Sequence, residues 1–299
     1  MAKNAGATVS ASIAFPFAFP SSLQLVEAPH RSSWALDCRH DRVLILQGLE
    51  LIVWDPIANE EHHLALPSYP DDHDHSHAAV LCAVDGCDHL DCHSGPYNVV
   101  FVGTERGAGG GEYVAWASVY SSETGAWSAV TSTTIEFDSY VEMKPSLLIG
   151  DTLYFTLSQS GMLKFDLGGR SLSLIYSPGV FGAIPMMAED GGLEFTAVLE
   201  DSIYIWSWQA ATQDSTARWV QQWIMELEPM LPSCPESTSR EVIGLVEGTH
   251  TIFIDSPRAG VFTLDLKSRQ VRRVGKGGVY YDILPYRSFY IPVLEPNMA

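Results

Sequence analysis

The residues best suited to chemistry are cysteines and histidines in one short part of the chain. Three cysteines spaced five residues apart follow a run rich in histidine and aspartate. The full set is Asp71–His77, Cys82, Cys87, Asp88, His89, Asp91, Cys92 and His93. Thiolates and imidazoles are zinc ligands, and three cysteines with adjacent histidines can close a tetrahedral site.

The spacing of these residues nevertheless departs from common zinc modules, which use paired Cys-x2–4-Cys and His-x3–5-His steps. Residues 79–84 also predict a β-strand, whose alternation sends Leu81 and Ala83 to the face opposite Cys82. We therefore predict an exposed polar insertion without a metal ion. A zinc site built on Cys82, Cys87 and Cys92 is the alternative.

Other motifs give no catalytic group. Gly103–Gly111 resembles a phosphate-binding loop, but the sequence continues as a strand instead of the helix that such loops need. Ser121–Trp127 faintly resembles the Asp-box turn of sialidase-type propellers, with Glu123 in place of aspartate and no second copy. No pair of carboxylates stands out for glycoside hydrolysis, and no nucleophile elbow or zinc-protease motif occurs. We predict no catalytic residue, no cofactor, no cofactor-binding residue and no metal ligand.

The elements that carry these residues repeat along the chain. Leu147–Leu167 and Val242–Leu266 each read as a strand, a tight turn, a strand, a loop with glycine and a strand, and an outer strand follows. Looser copies begin at Val43, Val99 and Phe195. The third strands of the five units end 41 to 66 residues apart, at Asp55, Ser121, Asp166, Ser207 and Asp265. Four short strands at this spacing are typical of a propeller blade. We predict an all-β propeller of four-stranded blades, six in number, with five and seven as alternatives.

The chain ends are expected to complete the ring. Strand-like stretches at Ser12–Val26 and Val279–Ile291 can pair within one blade and remove exposed sheet edges. We divide the chain into an N-terminal segment, residues 1–30, which is partly disordered and contributes a closing strand, and the propeller, residues 31–299. A segment with large apolar residues at intervals of four predicts a strand followed by a short helix; these residues are Trp219, Trp223, Leu227 and Leu231. The eight tryptophans, one or two per unit, are expected to pack adjacent blades together.

Composition limits the classes of partner that the protein is expected to bind. A net charge of −19 opposes binding to nucleic acid, so a neutral or basic protein surface is the expected partner. No apolar run approaches the 18 or more residues of a membrane span, so no membrane partner is expected. An odd count of five cysteines and the absence of an Asn-x-Ser/Thr sequon predict an intracellular protein, cytoplasmic, nuclear or both.

Eight segments spread along the chain match one known pattern, and these are Leu36–Leu44, Val53–Pro56, Cys87–Cys92, Ala115–Trp127, Pro145–Gly150, Leu163–Leu167, Glu189–Leu193 and Val246–Thr249. In these segments the sequence resembles the F-box-associated, kelch-like propeller of plant F-box proteins, especially those of grasses. The resemblance covers nearly the whole chain from about residue 30.

This resemblance implies a substrate-recognition subunit of a Skp1–cullin–F-box ubiquitin ligase, in which the propeller holds the target. The F-box should precede the propeller, whereas only Met1–His30 stands there, without an amphipathic helix. Skp1 binding is expected only with an F-box, so none is expected for this chain. We predict non-catalytic recognition of a protein target through loops on one propeller face, such as Gly107–Gly111 and Gln209–Ala217. A glycosidase-type enzyme and an F-box-less remnant with a structural or interaction role are the alternatives.

Overall fold

A computed structural model describes residues 10–16, 23–27, 33–56, 58–68, 75–87, 89, 92, 95–107, 112–135, 139–159, 161–177, 179–180, 182–211, 216–233, 239–276 and 280–285. All regular structure in these residues is β-strand. The strands are β1 (Ser10–Pro16), β2 (Leu23–Glu27), β3 (Ser33–Arg39), β4 (Arg42–Gln47), β5 (Glu50–Asp55), β6 (Glu60–Ala65), β7 (Ser76–Cys82), β8 (Tyr97–Arg106), β9 (Tyr113–Ser121), β10 (Ala126–Trp127), β11 (Thr131–Ile135), β12 (Leu147–Ile149), β13 (Thr152–Leu157), β14 (Gly161–Asp166), β15 (Ser171–Tyr176), β16 (Ile184–Met187), β17 (Leu193–Leu199), β18 (Ser202–Gln209), β19 (Arg218–Glu226), β20 (Glu241–Leu245), β21 (Thr251–Ser256), β22 (Gly260–Asp265), β23 (Val271–Arg273) and β24 (Tyr280–Pro285).

Twenty-one of these strands form five antiparallel sheets. Within each sheet the strands lie in chain order, with the first strand nearest the centre of the ring. We number them blade 1 (β3–β6), blade 2 (β7–β11), blade 3 (β12–β15), blade 4 (β16–β19) and blade 5 (β20–β23). In blade 2, β10 and β11 both pair with β9 and share the outermost position. The predicted all-β propeller of four-stranded blades is confirmed. The count of six was too high by one, because the strands at the two chain ends make a three-stranded sheet rather than a full blade.

That three-stranded sheet has the order β2-β1-β24, with β1 parallel to β24. Alternation sends neighbouring side chains of β24 into different blades. Ile283 is buried against Ile243 and Phe253 of blade 5, while Leu284 is buried in a cluster of blade 1. Gly244 permits this approach, because a Cβ there would lie 2.4 Å from the backbone oxygen of Ile283. The closing sheet therefore fills the gap between the last and first blades.

Apolar packing joins the remaining neighbours. Val100 and Val102 of β8 face the cluster shared with blade 3, whereas Val99 and Phe101 face the cluster shared with blade 1. Each central strand thus buries both faces, which explains why the repeats read as nearly continuous apolar runs.

The outer rim adds hydrogen bonds between blades. Trp127 of blade 2 donates its indole N–H to the carbonyl oxygen of Ala65 in blade 1, at 2.9 Å. Trp219 of blade 4 does the same to Tyr176 of blade 3, at 2.6 Å. Both indoles also pack in the apolar clusters between these blades. The prediction that tryptophans join adjacent blades is confirmed for these two.

The strand predicted at Trp219 is confirmed as β19, whereas the short helix predicted after it is wrong: residues 227–231 make only a single hydrogen-bonded turn, in which the N–H of Leu231 donates to the carbonyl oxygen of Leu227 at 2.8 Å. Residues 218–226 form the strand β19, and a bulge leaves Gln222 unpaired between the partners of Trp206 and Ile205. The extra residue sends Trp219 toward blade 3 and Trp223 toward blade 5, so their spacing of four is not a helical stripe. No helix in the described part of the chain is long and apolar enough to span a membrane.

Two faces of the ring follow from the topology. Because each blade is a meander, its first and third turns lie at one end and its second turn at the other. Three interblade contacts place the first-turn ends of four blades together: Cys92 with Asp41, Glu247 with Arg39, and Lys267 with Glu189. We call this end the front face, with first turns at residues 40–41, 83–96, 150–151, 188–192 and 246–250. The opposite end, with second turns at 48–49, 107–112, 158–160, 200–201 and 257–259, is the back face.

Candidate functional site

A cavity of about 170 Å³ opens where the central channel meets the front face, and we call it the channel mouth. Blades 1, 2, 3 and 5 and the closing strand β24 all contribute to its walls. Its lining residues are Asp37, Cys38, Arg39, His40, Asp41, His89, Pro145, Ser146, Leu148, Leu245, Glu247, Leu284 and Pro285.

One arginine organises the mouth. Arg39, at the end of β3, donates to Asp37 at 2.6 Å, to the Ser146 hydroxyl at 2.9 Å and to the Ser146 carbonyl at 2.5 Å. It also forms an ion pair with Glu247, to which its Nε donates at 3.1 Å. The planar guanidinium therefore joins blades 1, 3 and 5 through donors in a fixed fork geometry.

The two carboxylates of this network differ in exposure. The Asp37 side chain is 3 % exposed and accepts from the backbone N–H of Val80 in blade 2, at 2.7 Å. The Glu247 side chain is 36 % exposed and accepts from the N–H of Leu148 at 3.3 Å. Asp37 is thus enclosed by hydrogen-bond donors, while Glu247 presents part of its carboxylate to the cavity.

Burial sets the protonation of these groups. It raises the pKa of Asp37, an effect that Arg39 opposes. Burial alone would lower the pKa of Arg39, but the charges of Asp37 and Glu247 outweigh it and hold the guanidinium cationic. Burial, assisted by His89, lowers the pKa of His40 to about 4, so this imidazole is neutral at pH 7.

Acidic side chains outnumber basic ones in the lining of the mouth. The lining includes the carboxyl groups of Asp37, Asp41 and Glu247 and one guanidinium, that of Arg39, and His40 adds no charge at neutral pH. His89 and Ser146 are also polar, and the rest of the lining is mainly apolar, with Pro145, Leu148, Leu245, Leu284 and Pro285. Such a site favours a positively charged group with an apolar stem.

A second groove of about 640 Å³ lies on the front face between blades 4 and 5. Glu189, Asp190 and Glu194 line it, together with Trp208 and Lys267. Burial raises the pKa of Glu194, whose carboxylate accepts from Ser207 at 3.0 Å. The groove extends the acidic character of the mouth across the face.

The structure brings together four residues of the cysteine- and histidine-rich segment, although their spacing in the sequence differs from that of common zinc modules. The ligand atoms of Cys82, Cys87, His89 and Cys92 all lie within 4.8 Å of one another. The expected strand is present as β7, which ends at Cys82. His77 is instead fully buried between blades, beside Phe155. Residues 71–74, Asp88, Asp91 and His93 lie outside the described residues.

The strand ends that carry the two loops predicted to form one binding face lie on opposite faces. β8 and β9, which Gly107–Gly111 joins, meet at the back face, whereas β18 and β19, which Gln209–Ala217 joins, meet at the front face. The prediction failed because the face on which a loop lies depends on which two consecutive strands of the blade it joins. The composition of a loop does not show the position of those strands within the blade. Residues 108–111 and 212–215 lie outside the described residues.

The other two motifs are structural in the residues described. Gly103 lies on β8, where a Cβ would sit 2.4 Å from the Trp116 ring, so this glycine makes room for an indole. Ser121–Gly125 closes the turn between β9 and β10, and Trp127 packs behind it.

The residues of the mouth were not predicted as a site. Asp37, Arg39, Ser146 and Glu247 nevertheless fall within three of the segments that carry the resemblance, Leu36–Leu44, Pro145–Gly150 and Val246–Thr249. Their convergence on one cavity was the available signal. It required the order of the blades, which places segments more than 200 residues apart side by side.

The fold and its channel-mouth site define the class of protein as a β-propeller. The chain belongs to the F-box protein AT5G49610-like beta-propeller family, whose model matches residues 34–294.

Solved structures match the chain at low identity and with TM-scores below 0.5. A chain of the mitotic checkpoint complex is 11 % identical over 82 % of this chain and 65 % of its own length, with a TM-score of 0.43. A protein of unknown function from Bacteroides thetaiotaomicron is 14 % identical over 86 % and 64 %, with a TM-score of 0.48. The Cps50 (Swd1) propeller of Myceliophthora is 7 % identical over 88 % and 79 %, with a TM-score of 0.46. The chain thus spans slightly less than two thirds of the first two structures, and no curated protein is a significant match.

Proposed function

We propose that the protein is a non-catalytic recognition module whose front face binds a protein target, with the channel mouth taking a lysine or arginine side chain of that target. The observation that carries this proposal is the excess of carboxylate over guanidinium in the mouth, between apolar walls. A low-dielectric cavity lined by one sign of charge concentrates the field on a cation.

The size of the mouth supports a side chain as the ligand. Its volume of about 170 Å³ is below the 300 to 1,000 Å³ of pockets that enclose small-molecule ligands. The stem of a lysine or arginine can lie against Leu148, Leu245 and Leu284, with its charged head near Glu247. The acidic groove between blades 4 and 5 offers a continuation for the same target.

The engagement of the carboxylates supports a role without catalysis. A general acid or base must exchange a proton with the substrate, and a glycosidase needs two such carboxylates across the cleavage point. Asp37 and Glu247 are both held by Arg39, and Asp37 has almost no exposed surface. Fixed charges of this kind suit recognition.

Membership of the family supports the finer proposal that this propeller selects targets for a ubiquitin ligase inside the cell. The net charge of −19 favours a target with a basic surface. In this proposal the mouth supplies specificity, while the wider front face supplies contact area.

The test compares faces with matched charge changes. The front variant combines Glu123→Lys with Asp151→Lys, and the back variant combines Glu112→Lys with Glu200→Lys, all at exposed positions on turns or strand ends. A third variant, Leu148→Lys, places the chain's own ammonium in the mouth. Affinity capture from native tissue identifies the target, and arrayed target peptides with lysines replaced one at a time locate the contact.

We expect the front variant and Leu148→Lys to weaken binding by about tenfold or more, with the back variant unchanged. Added salt should weaken wild-type binding, since part of the attraction is electrostatic. Equal loss in front and back variants would remove the face assignment. Binding insensitive to every lysine of the target would remove the mouth, and turnover of a substrate would remove the non-catalytic role.

A further inference from the structure

Four side chains at the front end of blade 2, one at the end of β7 and three in the turn that follows, have the dimensions of a metal site. The Sγ atoms of Cys87 and Cys92 are 3.4 Å apart, and the Sγ of Cys92 is 3.4 Å from Nδ1 of His89. Together with Cys82, all four ligand atoms lie within 4.8 Å of one another. A tetrahedral zinc ion with Zn–S bonds of about 2.3 Å separates its sulfur ligands by about 3.8 Å.

We propose that Cys82, Cys87, His89 and Cys92 bind one structural Zn²⁺ ion, which fixes the front turn of blade 2 beside the channel mouth. Three thiolates and one imidazole are a standard closed ligand set for zinc. Soft sulfur ligands also select against Mg²⁺ and Ca²⁺, which prefer oxygen. A disulfide between Cys87 and Cys92 is the competing explanation, but 3.4 Å is far longer than an S–S bond of about 2.05 Å.

Backbone amides are directed at two of the sulfurs. The N–H of Val84 donates to Sγ of Cys82 and the N–H of His89 donates to Sγ of Cys87, each at 3.4 Å. Hydrogen bonds of this kind orient metal-bound groups and stabilise the thiolate form. The contact from Val84 comes from a residue outside the ligand set, and the contact from His89 comes from the backbone of a ligand residue.

The local backbone explains how an unusual spacing closes the site. Gly86 has a φ of 68° and the N–H of Cys87 donates to the carbonyl of Val84, so the chain turns back after β7. His89 also has a positive φ, 58°. The N–H of Cys92 is tied to the carboxylate of Asp41 in blade 1, at 3.3 Å. These turns bring residues five and ten positions after Cys82 back to it.

The surroundings suit the charge of the bound ion. Three thiolates, a neutral imidazole and Zn²⁺ give a net charge of about −1, and the guanidinium of Arg42 interacts electrostatically with Cys82 and Cys92. Zinc binding displaces protons from cysteine thiols and therefore strengthens as pH rises.

The site also has a structural consequence for the mouth. The imidazole rings of His89 and His40 are in contact, with centroids 4.4 Å apart, and both residues line the cavity. A zinc ion held through Nδ1 of His89 would fix that ring and hence one wall of the mouth. Loss of the metal would loosen the wall without disturbing the apolar clusters between blades.

The experiment measures metal on the full chain, purified under reducing conditions. We expect one zinc per chain in the wild type and none in Cys87→Ser/Cys92→Ser. Cys38→Ser is the matched control, because Cys38 lies outside the cluster. His89→Ala should weaken zinc binding by about tenfold or more, whereas His89→Cys keeps four ligands and should retain it. Replacement of zinc by Co²⁺ should give the intense visible absorption of a tetrahedral thiolate site, shifted in His89→Cys.

Three outcomes would overturn the proposal: folded wild type that binds less than one zinc per chain with ZnCl₂ present, equal loss in Cys38→Ser, or a Cys87–Cys92 disulfide in peptide mass spectra. If the double serine variant does not fold, the wild-type stoichiometry and the cobalt spectra of wild type and His89→Cys decide. The measurement uses no target protein. Its failure is therefore distinct from failure of the proposed recognition function.

Discussion

Two buried arginines stand at opposite ends of the propeller, and they are held in different ways. Arg39 lies at the front and pairs with Asp37 and Glu247, while Arg240 lies at the back and pairs with Asp201. Arg39 is 8 % exposed and Arg240 is 1 % exposed, so the two cations are similarly withdrawn from water. The carboxylates that pair with them differ in solvent exposure.

The Asp37 side chain is 3 % exposed, whereas that of Asp201 is 44 % exposed. At the front, both members of a charge pair are buried, and contacts reach three blades. At the back, Arg240 connects the start of blade 5 to a turn of blade 4 and to the Pro232 carbonyl at 2.5 Å. If the cation is lost, water can reach Asp201 but not Asp37.

This difference indicates that the front network is built to hold charge in place rather than to increase stability. A buried ion pair often contributes no more than well-packed apolar groups, because its desolvation offsets its attraction. What the front network does provide is a set of fixed carboxylates at a cavity. Preorganised groups lose little freedom on binding, which favours affinity.

The largest expected effect is that of Arg39→Met. Removing the cation leaves Asp37 buried without its compensating charge, which should lower the free energy of unfolding by about 3 to 5 kcal/mol. Urea denaturation followed by tryptophan fluorescence measures it from the midpoint at unchanged slope.

Asp37→Asn/Arg39→Met provides the control for that prediction. If the loss comes from the uncompensated charge, the double variant should be more stable than Arg39→Met alone. A double variant that loses the sum of both single effects would show that packing, not charge, determines the result.

A smaller effect is expected at the back. Arg240→Met removes donors to Ser256, Asp201 and Pro232, but the Asp201 carboxylate can be hydrated. We expect a loss of about 1 to 3 kcal/mol, less than for Arg39→Met under the same denaturation conditions. Equal losses in the two variants would contradict the role given to partner exposure.

Much of the fold could be predicted because the blades repeat. The strands of blades 3 and 5 could be read individually, since glycines with positive φ mark the first turn of blade 3, at Gly150, and the start of β22 after the second turn of blade 5, at Gly260. The number of blades was overestimated because the end segments resemble blade strands locally. Only their pairing across the ring shows that they form a three-stranded sheet.

Less of the candidate sites could be predicted, for two physical reasons. The mouth joins Arg39 to Glu247 across 208 residues, and a repeat pattern does not give which turns meet. The cysteine cluster depends on positive φ values at Gly86 and His89, which a comparison with standard zinc spacings does not consider. Both sites therefore required the turn geometry as well as the residue types.

The smallest expected effect concerns a carboxylate at the back of the propeller, that of Asp255, which contrasts with the carboxylates at the front. Asp255 pairs across the sheet with Glu241, which follows Arg240 at the back end of blade 5. Burial, assisted by the charge of Glu241, raises the pKa of Asp255 to about 6. One of its carboxylate oxygens is buried with no hydrogen-bond partner, unlike the carboxylates that Arg39 holds at the front.

A raised pKa in the folded state means that the folded protein binds this proton more tightly than the unfolded chain does. Asp255 therefore reduces stability above pH 6, and the penalty disappears as the pH falls toward about 4. Asp255→Asn should raise the free energy of unfolding by about 1 kcal/mol at pH 8, a value reduced for partial solvent screening, and have little effect near pH 4.

Asp265→Asn serves as the opposite control, because hydrogen bonds from Ser268 lower the pKa of Asp265, and the loss of this carboxylate should destabilise the protein at pH 8. Urea denaturation at both pH values measures these differences, and a gain from Asp255→Asn that is the same at pH 4 and pH 8 would show that the charge of Asp255 is not its cause.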